Sequence, residues 1–232
     1  MRCLCSSENI RITGKKDHVT VFQCIDCQSI WIEPYTYQID FYIDNEYNHF
    51  QQKENRHSYH ERFIHDYEVA RNRFSLLKGL IQPSNSTMDV GCANGAFVRF
   101  ILDMGYSAYG IDPMRPIVHT EQIIQADFTT HVFNRRFDIV TLFDVLEHFP
   151  NQIEAVAKIC KISQYLVFID QPDPETMKGI NWKHIRPLEH GFLMSKQFLK
   201  QEFNRLGFEL IISTSQVTNK MSLIFKRIKC LI

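Results

Sequence analysis

A short apolar run followed by two glycines is the feature that most constrains the fold of this chain. The run Met88–Val90 contains Asp89, Gly91 and Gly95 follow it, and an apolar helical pattern begins at Phe97. Glycine reaches positive φ without a Cβ clash and lets backbone N–H groups approach a ligand closely. The first N–H groups of a helix can receive an anionic group. The pattern predicts a strand, a tight turn and a helix start, which is an ordinary α/β connection as well as a possible ligand site.

Further strands are predicted along the rest of the chain, and several end in an acid. The run 106–112 ends in Asp112, 17 positions after Gly95, where an acid is suited to hold ribose hydroxyls. A third strand ends at Asp127 and Phe128, a pair that can accept from an exocyclic amine and stack on a purine. The later strands are predicted at 137–143, 165–170, 208–213 and 222–225, with helices at 151–161 and 195–206. This alternation predicts an α/β fold with a Rossmann-like, doubly wound sheet, mostly parallel with an antiparallel last strand.

The N-terminal segment 1–36 has a different character because it holds most of the cysteines. Four of the seven lie in the first 27 residues: Cys3, Cys5, Cys24 and Cys27. Two thiolate pairs joined by a hairpin can give the four-sulfur environment that structural zinc prefers, so a small zinc ribbon is predicted. The first pair is one residue short of the usual spacing. Three cysteines with His18, or free buried cysteines, therefore remain alternatives.

The remainder, 37–232, is predicted to form the main domain, with a long amphipathic helix as a lead-in at 57–80. Before that helix, the aromatic stretch 34–50 either lines a cleft or packs the ribbon onto this domain. Lys+Arg and Asp+Glu number 26 each, so no global field favours nucleic acid as a partner. No apolar run is long enough for a membrane span, and a soluble, cytoplasmic protein is expected.

The ordered motifs resemble those of class I S-adenosylmethionine-dependent methyltransferases. The resemblance rests on 89–95, 109–112, 126–128 and 137–140 together with 145–148. It is strongest to the branch that includes ubiquinone-biosynthesis O-methyltransferases and sugar and natural-product methyltransferases, some of which carry an N-terminal zinc ribbon. S-adenosylmethionine as cofactor, structural zinc and a small-molecule acceptor are what this resemblance implies.

The resemblance also assigns cofactor-binding roles to individual residues. Gly91 and Gly95 would cradle the methionine moiety, and Asp89 would help to bind its amino group. Asp112 would take the ribose hydroxyls. The remaining contacts would come from Asp127 at the adenine amine, Phe128 beside it, and Phe143 and Asp144 under the cofactor.

Two histidines are candidates for the catalytic base, because imidazole takes a proton near neutral pH. They are His148, which follows Glu147, and His190, in a long irregular segment at 170–192 that is expected to form an acceptor wall. Asp144, Glu147 and His148 would project to one side of a helical turn. In the ubiquinone branch, a similar motif binds a divalent cation at the active site. The alternative is that Glu147 and His148 brace the helix entry.

The function expected from the sequence is therefore methyl transfer from S-adenosylmethionine to a small molecule, with a hydroxyl of a sugar, quinone or secondary metabolite as the expected acceptor. Amine and carbon acceptors stay open, as does the oligomeric state. One alternative is a protein or RNA methyltransferase targeted by its ribbon. The other is a catalytically silent binding subunit, against which the set of glycines and acids argues.

Overall fold

The computed structural model of the protein describes residues 2–36, 59–114, 121–215 and 220–228. In the helix that begins at residue 59, side chains are described from Arg62 onward. The aromatic stretch beyond Thr36, with His49 and His57, lies outside the described residues. So does Cys230.

The main sheet has seven strands: β4 (Ser86–Val90), β5 (Ser107–Asp112), β6 (Ile123–Gln125), β7 (Phe137–Phe143), β8 (Ser163–Gln171), β10 (Phe208–Thr214) and β11 (Met221–Arg227). Their order across the sheet is β10-β11-β8-β7-β4-β5-β6. Strands β4 to β8 pair in parallel, whereas β11 is antiparallel to β8 and to β10. From β4 the chain proceeds outward to β5 and β6, then crosses to β7 on the other side. Ligands bind outside the carboxyl ends of the strands at such a switch point.

Helices cover both faces of this sheet. They are α1 (Tyr59–Leu77), α2 (Ala96–Asp103), α3 (Gln152–Ile162) and α4 (Lys196–Arg205). Strand β8 shows the division of the core: Leu166 and Phe168 pack in one cluster with α1 and α2, while Val167 and Ile169 pack in the other with α3 and α4. Successive side chains of a strand point to opposite faces, so a strand buried on both sides is continuously apolar. The doubly wound α/β architecture predicted from the sequence is confirmed.

The N-terminal segment forms a second sheet that includes a strand from the main domain, at residues 192–193. Its order is β1 (Ile10–Lys16), β2 (Val19–Cys24), β3 (Ile30–Glu33) and β9 (Phe192–Leu193). Strand β9 pairs with β3 through the partners Ile30↔Leu193 and Trp31↔Phe192. The Trp31 ring stacks on Phe192, with ring centroids 5.8 Å apart. The two predicted domains thus share a sheet and part of one apolar core.

Among the described residues, no helix is both long and apolar enough to cross a membrane.

Candidate active site

The turn after β4 is pinned onto the neighbouring strand β5. The N–H groups of Gly91 and Cys92 donate to the carbonyl oxygen of Ile111, at 2.8 and 3.2 Å. Gly91 has φ of 69°, and a Cβ added there would lie 2.3 Å from Cγ2 of Val145. Gly95, with φ of 81°, caps the start of α2. Both glycines therefore occupy the left-handed backbone region, and Gly91 is required by close packing as well.

Asp112 joins the end of β5 to the same turn. Its Oδ2 accepts from the N–H of Ala93 and its Oδ1 from the N–H of Met114, both at 2.8 Å. Burial raises the pKa of this carboxyl to about 6, although the two backbone N–H groups act to lower it. Each carboxylate oxygen has a second lone pair with which it can accept from a hydroxyl.

Asp89 is a buried residue of β4, on the side of that strand where it pairs with β7 and where the switch point lies. Its Oδ1 accepts from the Thr141 hydroxyl at 2.6 Å, across the register pair that joins the two strands. Burial raises the pKa of Asp89 to about 7, although the Thr141 hydrogen bond and the charge of Arg73 lower it.

The loop after β6 carries Asp127 and Phe128. Asp127 Oδ1 accepts from the N–H of Thr129 at 2.8 Å, and the Phe128 ring is buried against Phe149, with centroids 5.5 Å apart. Lys158 of α3 ties this loop down, because its Nζ donates to three backbone carbonyls. They belong to Phe128, Thr129 and His131, at 2.5, 3.0 and 2.6 Å. Nothing in the local sequence around Lys158 signals this contact.

Charged side chains surround Phe143, the last residue of β7. Arg73 of α1 lies over the Phe143 ring, 4.2 Å from its centroid, and its Nε donates to Asp170 Oδ2 at 2.9 Å. Asp144 has φ of 57°, and its Oδ2 accepts from Lys220 Nζ. Burial raises the pKa of Asp144, but the charges of Lys220 and Arg73 outweigh it and hold this pKa below its usual value. Sequence reasoning missed Arg73 and Lys220, since neither belongs to a motif.

Glu147, His148 and His190 form a cluster of potential metal ligands, which we call the histidine cluster. One ligand atom from each lies within 4.8 Å of the others. His148 Nδ1 lies 2.8 Å from the carbonyl oxygen of Glu189, and His190 Nδ1 lies 2.8 Å from that of His184. Since a carbonyl oxygen only accepts, each Nδ1 carries a proton, and in the neutral ring Nε2 holds the lone pair. The structure thus groups Glu147 and His148 with His190, while Asp144 pairs with Lys220.

The Glu147 carboxyl is the least compensated group of this cluster. Its side chain is 1% exposed, and neither of its oxygens has a hydrogen-bond partner within the described part of the chain. Burial, followed by the charge of Asp144, raises its pKa to about 8. Burial also lowers the pKa of His148, and lowers that of His190 well below its usual value. A cation or a hydrogen-bond donor at this point would offset the cost of the buried carboxyl.

The four N-terminal cysteines also come together. Their sulfurs all lie within 4.8 Å of one another, with Cys3 Sγ 3.5 Å from Cys27 Sγ and Cys5 Sγ 3.6 Å from Cys24 Sγ. The contact with the Cys3 thiol lowers the pKa of Cys27 to about 5. His18 lies exposed at the turn between β1 and β2 and is not part of this group. The donor set is therefore that of four sulfurs, which suits tetrahedral zinc.

A family model described as a methyltransferase domain matches residues 47–213. The comparison with curated proteins found no match.

Several solved structures share the fold at low sequence identity. The 1,6-didemethyltoxoflavin-N1-methyltransferase of Burkholderia thailandensis, with bound 1,6-didemethyltoxoflavin and S-adenosylhomocysteine, is 14% identical with a TM-score of 0.61, over 88% of this chain and 98% of that one. Magnesium protoporphyrin IX methyltransferase of Synechocystis, with bound S-adenosylhomocysteine, is 13% identical with a TM-score of 0.59, over 81% and 97%. The CcbJ methyltransferase of Streptomyces caelestis is 11% identical with a TM-score of 0.55, over 68% and 89%.

Proposed function

Because this chain belongs to the methyltransferase-domain family, we propose that it transfers the methyl group of S-adenosylmethionine to a hydroxyl of a small-molecule acceptor, such as a sugar, a quinone or a secondary metabolite. The observation that carries this proposal is the carboxylate of Asp112, held by two backbone N–H groups against the glycine turn at the switch point of the sheet. That is where a nucleoside binds in doubly wound folds.

We assign the other cofactor contacts to residues at or after the carboxyl ends of the strands, as the resemblance implies. Gly91 and Gly95 keep the backbone accessible to the methionine moiety, and Asp89 lies behind it to attract the amino group. The adenine end meets the loop of Asp127 and Phe128, which Lys158 holds in place. Phe143 and Asp144 form the floor beneath the cofactor.

Methyl transfer requires that the acceptor oxygen be aligned with the methyl carbon and that one group accept the acceptor's proton. The acceptor oxygen attacks the methyl carbon in line, the carbon–sulfur bond breaks, and S-adenosylhomocysteine leaves with the bond's electron pair. The acceptor proton passes to the Nε2 lone pair of His148. We assign this role to His148 rather than His190 because burial depresses the pKa of His190 more strongly, which makes it the weaker base. His190 and Glu147 complete the wall on this side.

The same three residues fit a divalent cation as a second interpretation of the cluster. Two imidazole nitrogens and a buried carboxylate without a hydrogen-bond partner among the described residues form a common ligand set for first-row metals. Carbonyl oxygens that fix the Nδ1 protons of both rings are the usual outer partners of such ligands. A cation bound there would lower the pKa of an acceptor hydroxyl. The cluster of four cysteines we assign to structural zinc.

The choice of a small acceptor is supported by the shared fold and by the neutral charge balance of 26 basic and 26 acidic residues. Two of the solved structures with this fold are named as methyltransferases of magnesium protoporphyrin IX and of 1,6-didemethyltoxoflavin. The neutral charge balance supplies no overall positive charge that would attract a nucleic-acid backbone.

Isothermal calorimetry with S-adenosylmethionine and S-adenosylhomocysteine tests the cofactor site. We expect the wild type to bind both and Asp112→Asn to bind at least about tenfold more weakly, since a charge-assisted hydrogen bond is lost. Asp138→Asn is the matched control, because Asp138 also holds two polar groups, those of Ser86, but at the amino end of the sheet. Folded wild type that binds neither compound would refute the proposal.

Metal analysis separates the two interpretations of the histidine cluster. Glu147→Gln and His148→Ala should leave the zinc of the cysteine cluster in place. If they also lower the content of a second divalent metal in the purified protein, the cluster is a metal site. If no second metal is present and titration with Mg²⁺, Mn²⁺ and Co²⁺ gives no binding, the cluster works through His148 as a base.

A further inference from the structure

The N-terminal sheet reaches the histidine cluster directly, through Tyr35. This residue follows β3 by two positions and is half-buried. Its hydroxyl lies 3.2 Å from the carbonyl oxygen of Glu189 and 3.4 Å from that of His148. Since both groups are acceptors, the Tyr35 hydroxyl donates to them, and it does so on the main chain beside the cluster rather than on a side chain.

The Glu189 carbonyl oxygen is a shared acceptor. It receives the Tyr35 hydroxyl and also the Nδ1 proton of His148, at 2.8 Å. The position of this carbonyl determines which ring nitrogen of His148 keeps its proton and which way the ring faces. Tyr35 therefore acts on the orientation of His148 through the carbonyl that orients it.

The ring of Tyr35 makes a second contact with the same segment, against Gly191. A Cβ added to Gly191 would lie 2.4 Å from both Cδ1 and Cε1 of the Tyr35 ring. The N–H of Gly191 donates to the carbonyl oxygen of Glu147 at 3.2 Å, and its own carbonyl oxygen accepts from the N–H of Ile32 at 3.2 Å. Residues 189–191 are thus clamped between the N-terminal sheet on one side and the cluster on the other.

The same sheet is anchored at its other end next to the cysteine cluster. Ser195, which caps α4, donates from its hydroxyl to the carbonyl oxygen of Cys27, and its N–H donates to Ser29 Oγ at 3.0 Å. The segment 192–193 between these anchors is β9, paired with β3. Contacts with the N-terminal sheet therefore hold the whole stretch from Glu189 to Ser195.

We propose that Tyr35 is a positioning residue for His148, so that the acceptor side of the active site is built jointly by the N-terminal sheet and the main domain. The inference deepens the proposed function and rests on it for the role of His148. Tyr35 contacts the backbone of the cluster and not the glycine turn. Its loss should therefore disturb the imidazole of His148 while leaving cofactor affinity unchanged.

The test is NMR of the histidine ring nitrogens in ¹⁵N-labelled Tyr35→Phe, with the His148 signals assigned by comparison with His148→Gln. Loss of the hydroxyl should shift the His148 ring nitrogens and speed solvent exchange of its Nδ1 proton about fivefold, the effect of losing one net hydrogen bond. Tyr67→Phe is the matched control, because it removes a tyrosine hydroxyl that donates to Asp103 of α2 rather than to the segment 189–191. Its His148 signals should match the wild type.

A second variant tests the ring contact with the hydroxyl intact. Gly191→Ala should displace the Tyr35 ring and perturb His148 in the same way. The same substitution should have little further effect in a Tyr35→Ala background, because the three atoms nearest to the added methyl group belong to the Tyr35 ring. Unchanged His148 signals in both Tyr35→Phe and Gly191→Ala would overturn the proposal.

Calorimetry with S-adenosylhomocysteine on the same samples keeps the two hypotheses apart. Equal affinity in Tyr35→Phe and the wild type supports the positioning role. A loss of cofactor affinity that parallels the NMR change overturns it in favour of a general structural role. Absence of cofactor binding in the wild type counts against the proposed function, while the NMR comparison still decides whether Tyr35 positions His148.

Discussion

Replacing Asp89 by Asn should stabilise the folded protein at neutral and alkaline pH. Asp89 is 2% exposed, and its burial raises the pKa to about 7 from 3.8. Above that pKa the folded chain holds a carboxylate in a position that disfavours charge. Asn removes the charge and keeps a side-chain oxygen that can accept from the Thr141 hydroxyl, as Asp89 Oδ1 does at 2.6 Å.

The magnitude follows from the linkage between proton binding and folding. Between pH 3.8 and 7 the folded state keeps the Asp89 proton and the unfolded state loses it, so this group's favourable contribution is full below pH 3.8 and falls until the pH passes 7. At ~1.4 kcal/mol per pH unit, the wild type loses ~3 kcal/mol relative to Asp89→Asn between pH 5 and pH 8. For a chain of this size, that is a change of about 6–12 °C in the difference between the two Tm values.

The assay is thermal unfolding of both proteins, without cofactor, at pH 5, 6, 7 and 8. The difference in Tm should grow from pH 5 to 7 and level off above 7, because other titrating groups contribute nearly equally to both proteins. Thr141→Val removes a contact that lowers the pKa of Asp89, so its stability should keep falling to a higher pH than that of the wild type. A Tm difference that stays constant with pH would refute the reasoning that Asp89 is buried in a charge-disfavouring site.

Three further predictions concern the glycine turn after β4, the loop of Asp127 and Phe128, and the four N-terminal cysteines. Gly91→Ala should abolish S-adenosylhomocysteine binding in calorimetry, because φ is 69° and the added Cβ would lie 2.3 Å from Val145 Cγ2. Gly105→Ala is the control: φ is 82° there, but no atom lies within 4 Å of the added Cβ, so this variant should lose some stability and still bind. Lys158→Met should weaken S-adenosylhomocysteine binding about tenfold by releasing three carbonyls, and the exposed Lys161→Met should not, since it makes no such contacts. Cys27→Ser should lower the zinc content measured by metal analysis and lower the Tm, and an unchanged zinc content would contradict the assignment of the four cysteines.

The parts of the fold that local sequence determines were predictable. Strand β7 coincides with the predicted run 137–143, because a strand buried on both faces reads as a continuous apolar stretch. Strand β1 was not predicted: it is an edge strand with no fully buried side chain, and its alternation of apolar and polar residues stops after Ile10 and Ile12. Strand β9 has only two residues, and its pairing with β3 spans more than 160 positions of sequence.

The candidate active site also contains some features that local sequence determines and others that depend on distant contacts. The glycines and Asp112 follow from the motif because a tight turn and a strand end are local features. The expectation that Asp144 shares a face with Glu147 assumed a helical turn, but the φ of 57° at Asp144 breaks that geometry. Contacts such as those of Arg73 and Lys158 join elements far apart in sequence, and no local pattern indicates them.

The pairing of β3 with β9 also determines whether the N-terminal segment can be deleted or exchanged. Deleting residues 1–36 would uncover the ring of Phe192 and leave the backbone of Leu193 without its ladder, an apolar edge of the kind that promotes aggregation. The N-terminal sheet therefore cannot be exchanged independently of the main domain. A chimera with a different N-terminal sheet would also need a matching segment in place of residues 189–195, and we expect the two stretches to change together.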